Sequence, residues 1–207
     1  MREGKTAVFR QGHRFFIGPA TLLIVRRRLG LCLAIALLSA PLCCATAVPA
    51  HPDAVIIKDV PFFSQEAYQC GPTALATVIN YWYGKMGTDK RTDPERIASA
   101  IYSPSAGGVL GIDLERYARE KGFDTEQYSG SLDDLRRRVD LGFPPIIFVD
   151  RGFLSFQVNH FMVVTGYMKG RIIVNSGYRQ NQPIPEGELE KTWKRNGHWT
   201  LVLKPSA

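Results

Sequence analysis

The segment from Cys70 to Tyr83 constrains the fold of this chain most, because it has the pattern of an apolar helix that begins with a cysteine. Apolar residues recur at every fourth position after the cysteine: Ala74, Val78 and Trp82. This spacing is typical of a helix that buries one face. Pro72 fits the first helical turn, where its missing N–H costs nothing, and Gly84 is expected to end the helix. The pattern therefore puts Cys70 at the first turn.

A cysteine at the start of a helix is suited to nucleophilic chemistry. The unpaired backbone N–H groups and the positive end of the helix dipole favour the thiolate of Cys70 over the thiol. A thiolate is the form of cysteine that attacks carbonyl carbons. The alternative is that Cys70 is only a small buried apolar residue. The helical segment by itself leaves both interpretations open.

Residues 1–47 have the pattern of a secretory leader. The basic stretch Arg26–Arg28 precedes an apolar run, Leu29–Leu42, which is short for a membrane span. A small-x-small pattern directly before Val48 predicts cleavage at that point. The remaining residues, 48–207, are enough for one domain with its own hydrophobic core. We also expect this domain to be a monomer.

The distribution of cysteines agrees with this division. Three of the four cysteines, Cys32, Cys43 and Cys44, lie in the leader, so Cys70 is the only one expected in the mature chain. A lone thiol cannot form an internal disulfide in an exported protein. We expect a periplasmic or secreted protein whose only membrane contact is through the leader, if it is retained. A lipid-anchored form through Cys43 or Cys44 is the alternative.

The charge of the chain does not indicate a nucleic-acid partner. The net charge is +7, but seven of the Lys and Arg residues and only one acidic residue precede position 48. The rest carries 19 basic and 18 acidic residues and is nearly neutral. The one remaining basic cluster, Arg136–Arg138, is interpreted as a solvated helix face. The three histidines and one cysteine after the leader have no metal-binding spacing, and no cofactor is expected.

A predicted hairpin supplies partners for the cysteine. His160 opens a β-branched and aromatic run to Tyr167, and a short turn leads to a second strand that ends in Asn175. Two antiparallel strands joined by a tight turn place His160 and Asn175 at the same end of the hairpin. Asn175 is then expected to orient the imidazole. Two alternatives remain: His160 is purely structural, or Asp150, at the end of another strand, takes the place of Asn175.

The other patterns indicate an α+β fold, in which helices precede an antiparallel sheet with one inserted helix. Asp93 and Ser131 are predicted N-caps of two helices. Further helices are predicted at about 112–121 and 186–196, and further strands at 123–128, 145–150 and 199–203. His198 is interpreted as structural. Four aromatic residues are expected in the core rather than in a substrate groove: Phe153, Phe156, Tyr178 and Trp193.

Taken together, these residues resemble the bacteriocin-processing, double-glycine leader peptidase family of papain-like cysteine peptidases. The likeness extends from about Val60 to Leu203. It is carried by four matches: Gln65, Cys70–Leu75, His160–Tyr167 and Asn175. The resemblance implies a papain-like fold with a helical half packed on an antiparallel sheet. It also implies that Cys70 is the nucleophile, His160 the general base, Asn175 the orienting residue and Gln65 an oxyanion-hole donor.

We therefore expect an exported cysteine peptidase that hydrolyses peptide bonds through an acyl-thiol intermediate and acts on a peptide or protein. One alternative is a peptide-binding module without catalysis on the same fold. Another is acyl transfer to an amine with the same triad. The resemblance does not extend to the double-glycine leader substrate, because the family's transporter-linked members face the cytoplasm whereas this chain is expected to be exported.

Overall fold

The computed structural model describes residues 53–64, 69–154 and 156–206, so the predicted leader and Gln65 lie outside the described residues. There are five α-helices in these ranges, α1 Cys70–Lys85, α2 Pro94–Ile101, α3 Gly111–Glu120, α4 Leu132–Asp140 and α5 Glu186–Lys194, and one short 3-10 helix, Pro104–Ala106. The strands are β1 Val55–Ile56, β2 Phe123–Ser129, β3 Ile146–Asp150, β4 Asn159–Met168, β5 Arg171–Ser176, β6 Arg179–Pro185 and β7 Trp199–Pro205. None of the described helices combines the length and apolarity needed to cross a membrane.

The strands form one antiparallel sheet in the order β2-β7-β3-β4-β5-β6, and β1 pairs with the far end of β4. Alternate residues of β4 face two separate apolar clusters, as the period of a strand requires. Phe161 and Val163 pack with helices α1, α2 and α3 on one face. Met162 and Val164 pack with α4 and α5 on the other. The predicted α+β class, with helices packed on an antiparallel sheet, is confirmed.

Helix α1 differs in two ways from the amphipathic helix expected from its sequence. All of its residues from Gly71 to Tyr81 are buried, because α1 lies between the sheet and helices α2 and α3. It also continues past Gly84 to Lys85, and the chain takes up a left-handed conformation only at Gly87, whose φ is 65°. A glycine inside a helix lowers its stability without ending it.

The predicted helix starts are confirmed. The side chain of Asp93 accepts a hydrogen bond from the Arg96 N–H at 2.7 Å, and Ser131 Oγ accepts one from the Asp134 N–H at 3.2 Å. The arginines of the cluster Arg136–Arg138, which the sequence analysis interpreted as a solvated helix face, form salt bridges with acidic residues. Their three guanidinium groups contact the carboxylates of Asp133, Asp134, Glu126 and Glu186.

Strand β6 was not predicted, since its sequence contains two prolines and several polar residues. It forms the edge of the sheet, where the missing N–H of proline is tolerated. The expectation of core aromatics holds for Trp193, which is fully buried. It is wrong for Phe153, Phe156 and Tyr178, which are 77%, 81% and 76% exposed.

Candidate active site

Cys70 is the first residue of helix α1, as its sequence predicted, and its side chain is half-buried. No side chain caps this helix start, so the backbone N–H groups of the first turn keep their positive field beside the thiol. The cysteine lines a cavity of about 210 Å³. The other lining residues are Phe148, Asn159, Phe161 and the loop residues Ala106, Gly107, Gly108, Val109 and Leu110.

Gly71 brings the start of α1 against the start of β4. A Cβ atom at this position would lie 2.2 Å from Val109 Cγ2 and 3.2 Å from Phe161 Cδ2, so no larger residue fits without displacement. Gly71 follows Cys70, and Phe161 follows His160. The segments that carry the predicted nucleophile and base are therefore in contact, but Phe161 faces α1 whereas His160, paired with Val149, is on the opposite face of the sheet. In the described part of the chain, no hydrogen bond joins Cys70 to His160 directly.

His160 lies in the buried start of β4, opposite Val149 of β3, and is 8% exposed. Its Nε2 atom is 3.0 Å from the hydroxyl oxygen of Ser176, the last residue of β5. Burial lowers the pKa of His160 to about 4, and the positive charge of Arg151 acts in the same direction. The imidazole is therefore neutral at pH 7, which is the form that accepts a proton.

Among the described residues, no hydrogen bond joins Asn175 to His160, which corrects the expectation from the hairpin pattern. Its Oδ1 atom accepts a hydrogen bond from the Asn181 N–H at 2.9 Å. Its Nδ2 atom is buried and has no hydrogen-bond partner among the described residues. Asn175 thus fixes the turn into β6, whereas Ser176 holds the imidazole. Sequence reasoning missed Ser176.

A β-bulge in the hairpin explains the difference between the two residues. Near the turn, Tyr167 pairs with Ile172, and an unbroken ladder from this register would put Asn175 on the same face as Val164 and His160. The bulge between Val164 and Gly166 shifts the pairing by one residue, so that Asn175 pairs with Val163. A shift of one residue exchanges the two faces of a strand. Ser176 consequently takes the face of His160.

Asp150, the other candidate for the third position, has a different role. Its Oδ1 atom accepts hydrogen bonds from the N–H groups of Gly152 at 2.8 Å and Val158 at 2.9 Å. These two bonds, with that of Val158 the larger influence, lower the pKa of Asp150. The carboxylate therefore ties together the two ends of the loop between β3 and β4, and this loop leads directly into the strand that carries His160.

Two further residues complete the sequence-based set. His198 hydrogen-bonds to Glu190 at 2.8 Å through Nε2 and packs edge-on against Trp193, in line with a structural role. The predicted oxyanion-hole residue, Gln65, lies outside the described residues. Across those residues, no group of three or more His, Cys, Asp or Glu side chains is arranged to bind a metal ion.

The sequence profile described as the Peptidase_C39 like family matches residues 57–200, which is most of the chain. The chain belongs to the Peptidase_C39 like family. The family resemblance drawn from Cys70, His160 and their surroundings is thus confirmed. None of the curated proteins gives a significant match to this C39-like chain.

Solved structures of C39 domains share its fold. A protein described as a C39-like peptidase from Bacillus anthracis has 19% identity and a TM-score of 0.61, covering 74% of this chain and 99% of that one. The peptidase domain of Streptococcus ComA, a bifunctional ABC transporter, has 18% identity and a TM-score of 0.56, with coverages of 70% and 97%.

A third structure is the double glycine motif protease of an AMS/PCAT transporter, solved in complex with its leader peptide. It has 24% identity and a TM-score of 0.56, with coverages of 73% and 94%. At these identities the structural likeness establishes the fold of the C39-like chain. The roles of individual residues are argued from its own geometry.

Proposed function

We propose that this protein is an exported thiol peptidase in which Cys70 attacks the scissile carbonyl and His160 takes the thiol proton. The observation that supports the proposal is the packing of Gly71 on Phe161, because it brings the start of α1 against the start of β4. The His160 side chain lies on the opposite face of β4 from Phe161, so the proposal requires the ring to reach the thiol around the end of this strand. The family match over residues 57–200 supports the same chemistry.

The hydrogen bond to Ser176 suggests which nitrogen of His160 acts as the base. When Nε2–H donates to the Ser176 hydroxyl, the lone pair lies on Nδ1, and this atom accepts the proton of Cys70. The thiolate then forms an acyl-thiol, the leaving amine takes the proton from His160, and water releases the acid product. Catalytic hydrogen bonds are often long in the free enzyme and shorten when substrate binds.

The lining of the cavity at Cys70 suggests the character of the substrate. Glycines, apolar residues and one amide line it, and none of its lining residues is charged. With a volume of about 210 Å³, the cavity is smaller than the roughly 300–1,000 Å³ of sites for drug-sized ligands. We therefore expect a peptide with small, uncharged residues beside the scissile bond.

The test is cleavage of a fluorogenic peptide library, read out by mass spectrometry. The purified protein should cleave peptides of this kind and lose activity when iodoacetamide alkylates Cys70. Cys70→Ala should abolish cleavage while leaving the circular dichroism spectrum unchanged. Full hydrolysis by Cys70→Ala would overturn the assignment of the nucleophile.

The same experiment separates the alternative functions. Peptide binding without cleavage by the unmodified protein would indicate a binding module on the C39-like fold. Product joined to an added amine, in place of free acid, would indicate acyl transfer, since both reactions pass through the same acyl-thiol. The intact mass of the protein with trapped substrate would identify that intermediate.

Export is part of the proposal and has its own test. Expression with a C-terminal tag should give a product outside the cytoplasm whose first residue is near Val48. A cytoplasmic, full-length product would refute the cleavage of the leader. A mature start at Cys43 or Cys44 with a lipid-sized mass increase would instead establish the lipid-anchored form.

A further inference from the structure

A small basic cavity lies far from Cys70, at the other end of helix α1. Tyr83 of this helix lines it, about 20 Å from Cys70 along the helix axis at about 1.5 Å per residue. The cavity has a volume of about 200 Å³. The other lining residues are Lys90, Arg91, Thr92, Arg96, Tyr117 and Lys121. Four of the seven lining residues are cations, and none is a carboxylate.

Two of the lining residues carry buried hydroxyl groups that have no hydrogen-bond partner in the described structure. The Tyr117 hydroxyl is buried without a hydrogen bond, in a residue that is 4% exposed, and Thr92 Oγ1 is buried in the same way. Only four buried side-chain polar atoms of the described residues are unsatisfied, and two of them line this cavity. Since a buried hydroxyl without a partner is costly, both residues would gain from donating to an acceptor bound in the cavity.

The loop that carries Thr92 is held in place by Asn80 of helix α1. The buried side chain of Asn80 accepts from the Thr92 N–H at 3.0 Å and donates to the Thr92 carbonyl at 2.7 Å. Arg91 donates to two carbonyls of the same loop, those of Thr88 and Lys90. The loop that carries Lys90 and Arg91, two of the four cations, is therefore fixed by the fold.

The cations of the cavity lack acidic partners. None of its lysines and arginines forms a salt bridge with a described residue, whereas Arg136, Arg137 and Arg138 are all paired. Lys121 Nζ lies 4.8 Å from the centre of the Tyr117 ring. All seven lining side chains carry a hydrogen-bond donor, and none is a carboxylate, which could only accept.

We propose that this cavity, bounded by Tyr83, Thr92, Arg96, Tyr117 and Lys121, binds a phosphate group. A phosphate oxyanion offers only acceptors, which suits a site that contains donors and positive charge. The volume admits one small anion and excludes a ligand as large as a nucleotide. The group can be free inorganic phosphate or the phosphate monoester of a lipid headgroup. Its binding joins α1, α2 and α3 at the end remote from Cys70.

The test is thermal unfolding and calorimetric titration of the protein, as isolated, with inorganic phosphate at constant ionic strength. The unfolding temperature should rise with the logarithm of the phosphate concentration up to about 20 mM, as ligand linkage requires. Arg96→Gln should weaken phosphate binding about tenfold, because it removes a charge-assisted hydrogen bond. Lys169→Gln, an equal change of charge in the exposed turn between β4 and β5, should leave binding unchanged.

Tyr117→Phe gives the sharpest test, because phosphate binding and fold stability should respond differently. Without phosphate this variant should be at least as stable as the unmodified protein, since it removes an unpartnered buried hydroxyl. Its phosphate-dependent rise in unfolding temperature should be lost or clearly reduced. No stabilisation of the unmodified protein by phosphate, or equal stabilisation of Tyr117→Phe, Arg96→Gln and Lys169→Gln, would overturn the proposal.

A vesicle assay distinguishes the two sources of phosphate. Protein that sediments with phosphatidic acid vesicles, and is released by free phosphate and by Arg96→Gln, binds the headgroup. Protein that is stabilised by free phosphate but does not sediment binds the free ion. Either result supports the site. Sedimentation that neither free phosphate nor Arg96→Gln reduces would count against it.

Discussion

His160 Nε2 lies 3.0 Å from the hydroxyl oxygen of Ser176, while Asn175, the residue before it, faces the other side of the sheet. The histidine is therefore oriented by a hydroxyl that carries no charge. A carboxylate in this position would stabilise the imidazolium ion, whereas serine leaves the buried ring neutral. This pair is the centre of the first prediction.

Ser176→Ala should lower the turnover number about tenfold, because the imidazole loses the one hydrogen bond that fixes its orientation among the described residues. Asn175→Ala should lower turnover less, since its side chain holds the Asn181 N–H and not the ring. Steady-state rates on one cleaved peptide, with circular dichroism as the control for folding, measure both effects. A normal rate for Ser176→Ala and a large loss for Asn175→Ala would reverse the assignment.

Ser176→Asp should raise the pKa of His160, which is about 4 in the unmodified protein. A negative charge beside the ring favours its protonated form and opposes the effect of burial. Titration of the imidazole resonances by NMR checks this directly. An unchanged pKa would mean that the introduced carboxylate does not reach the ring.

The stability of the protein should fall as the pH drops from about 6.5 to about 4. The pKa of His160 is lowered to about 4 in the folded chain, so only the unfolded chain takes up this proton within that interval. Stability is therefore lost as pH decreases, by up to about 3 kcal/mol at pH 4. Urea unfolding at several pH values measures the slope, and His160→Gln should reduce it. An equal slope in His160→Gln would assign the effect to other groups.

Gly71→Ala should impair both stability and catalysis. The added methyl group would lie 2.2 Å from Val109 Cγ2 and 3.2 Å from Phe161 Cδ2, so either the loop at Val109 or the start of β4 must move. Overpacking of this kind costs about 1–3 kcal/mol. Gly84→Ala is the matched control, because a Cβ at that position would meet no atom within 4 Å apart from its neighbours in the chain and the backbone of its own helix. Equal unfolding temperatures for the two variants would contradict the close contact.

Asp150→Ala should destabilise the loop before β4 without removing a catalytic group. The N–H groups of Gly152 and Val158 would lose their shared acceptor. We expect faster amide hydrogen exchange in residues 151–158, measured by mass spectrometry. Turnover should fall only modestly, and Asp150→Asn, which keeps an acceptor oxygen, should recover part of the protection. Complete loss of activity in a folded Asp150→Asn variant would point to a direct catalytic role.

Local rules in the sequence determined much of this structure. Helix α1 and its cysteine follow from apolar spacing, and the starts of α2 and α4 follow from Asp93 and Ser131, because capping involves only near neighbours along the chain. The antiparallel hairpin that carries His160 was also evident, since β-branched runs on both sides of a turn pair locally. The family resemblance relied on these same segments.

Tertiary structure decided what depends on register and on distant neighbours. The bulge between Val164 and Gly166 exchanges the faces of Asn175 and Ser176, and nothing in the strand sequence alone indicates a shift of one residue. Gly166 lies beneath the backbone of β1, where an added Cβ would be 2.4 Å from the Val55 carbonyl oxygen, so β1 constrains this part of the hairpin. The basic cavity at Tyr117 likewise exists only because three helices meet there. The sequence alone determined which segments could carry the chemistry, whereas long-range packing decided which side chains face one another.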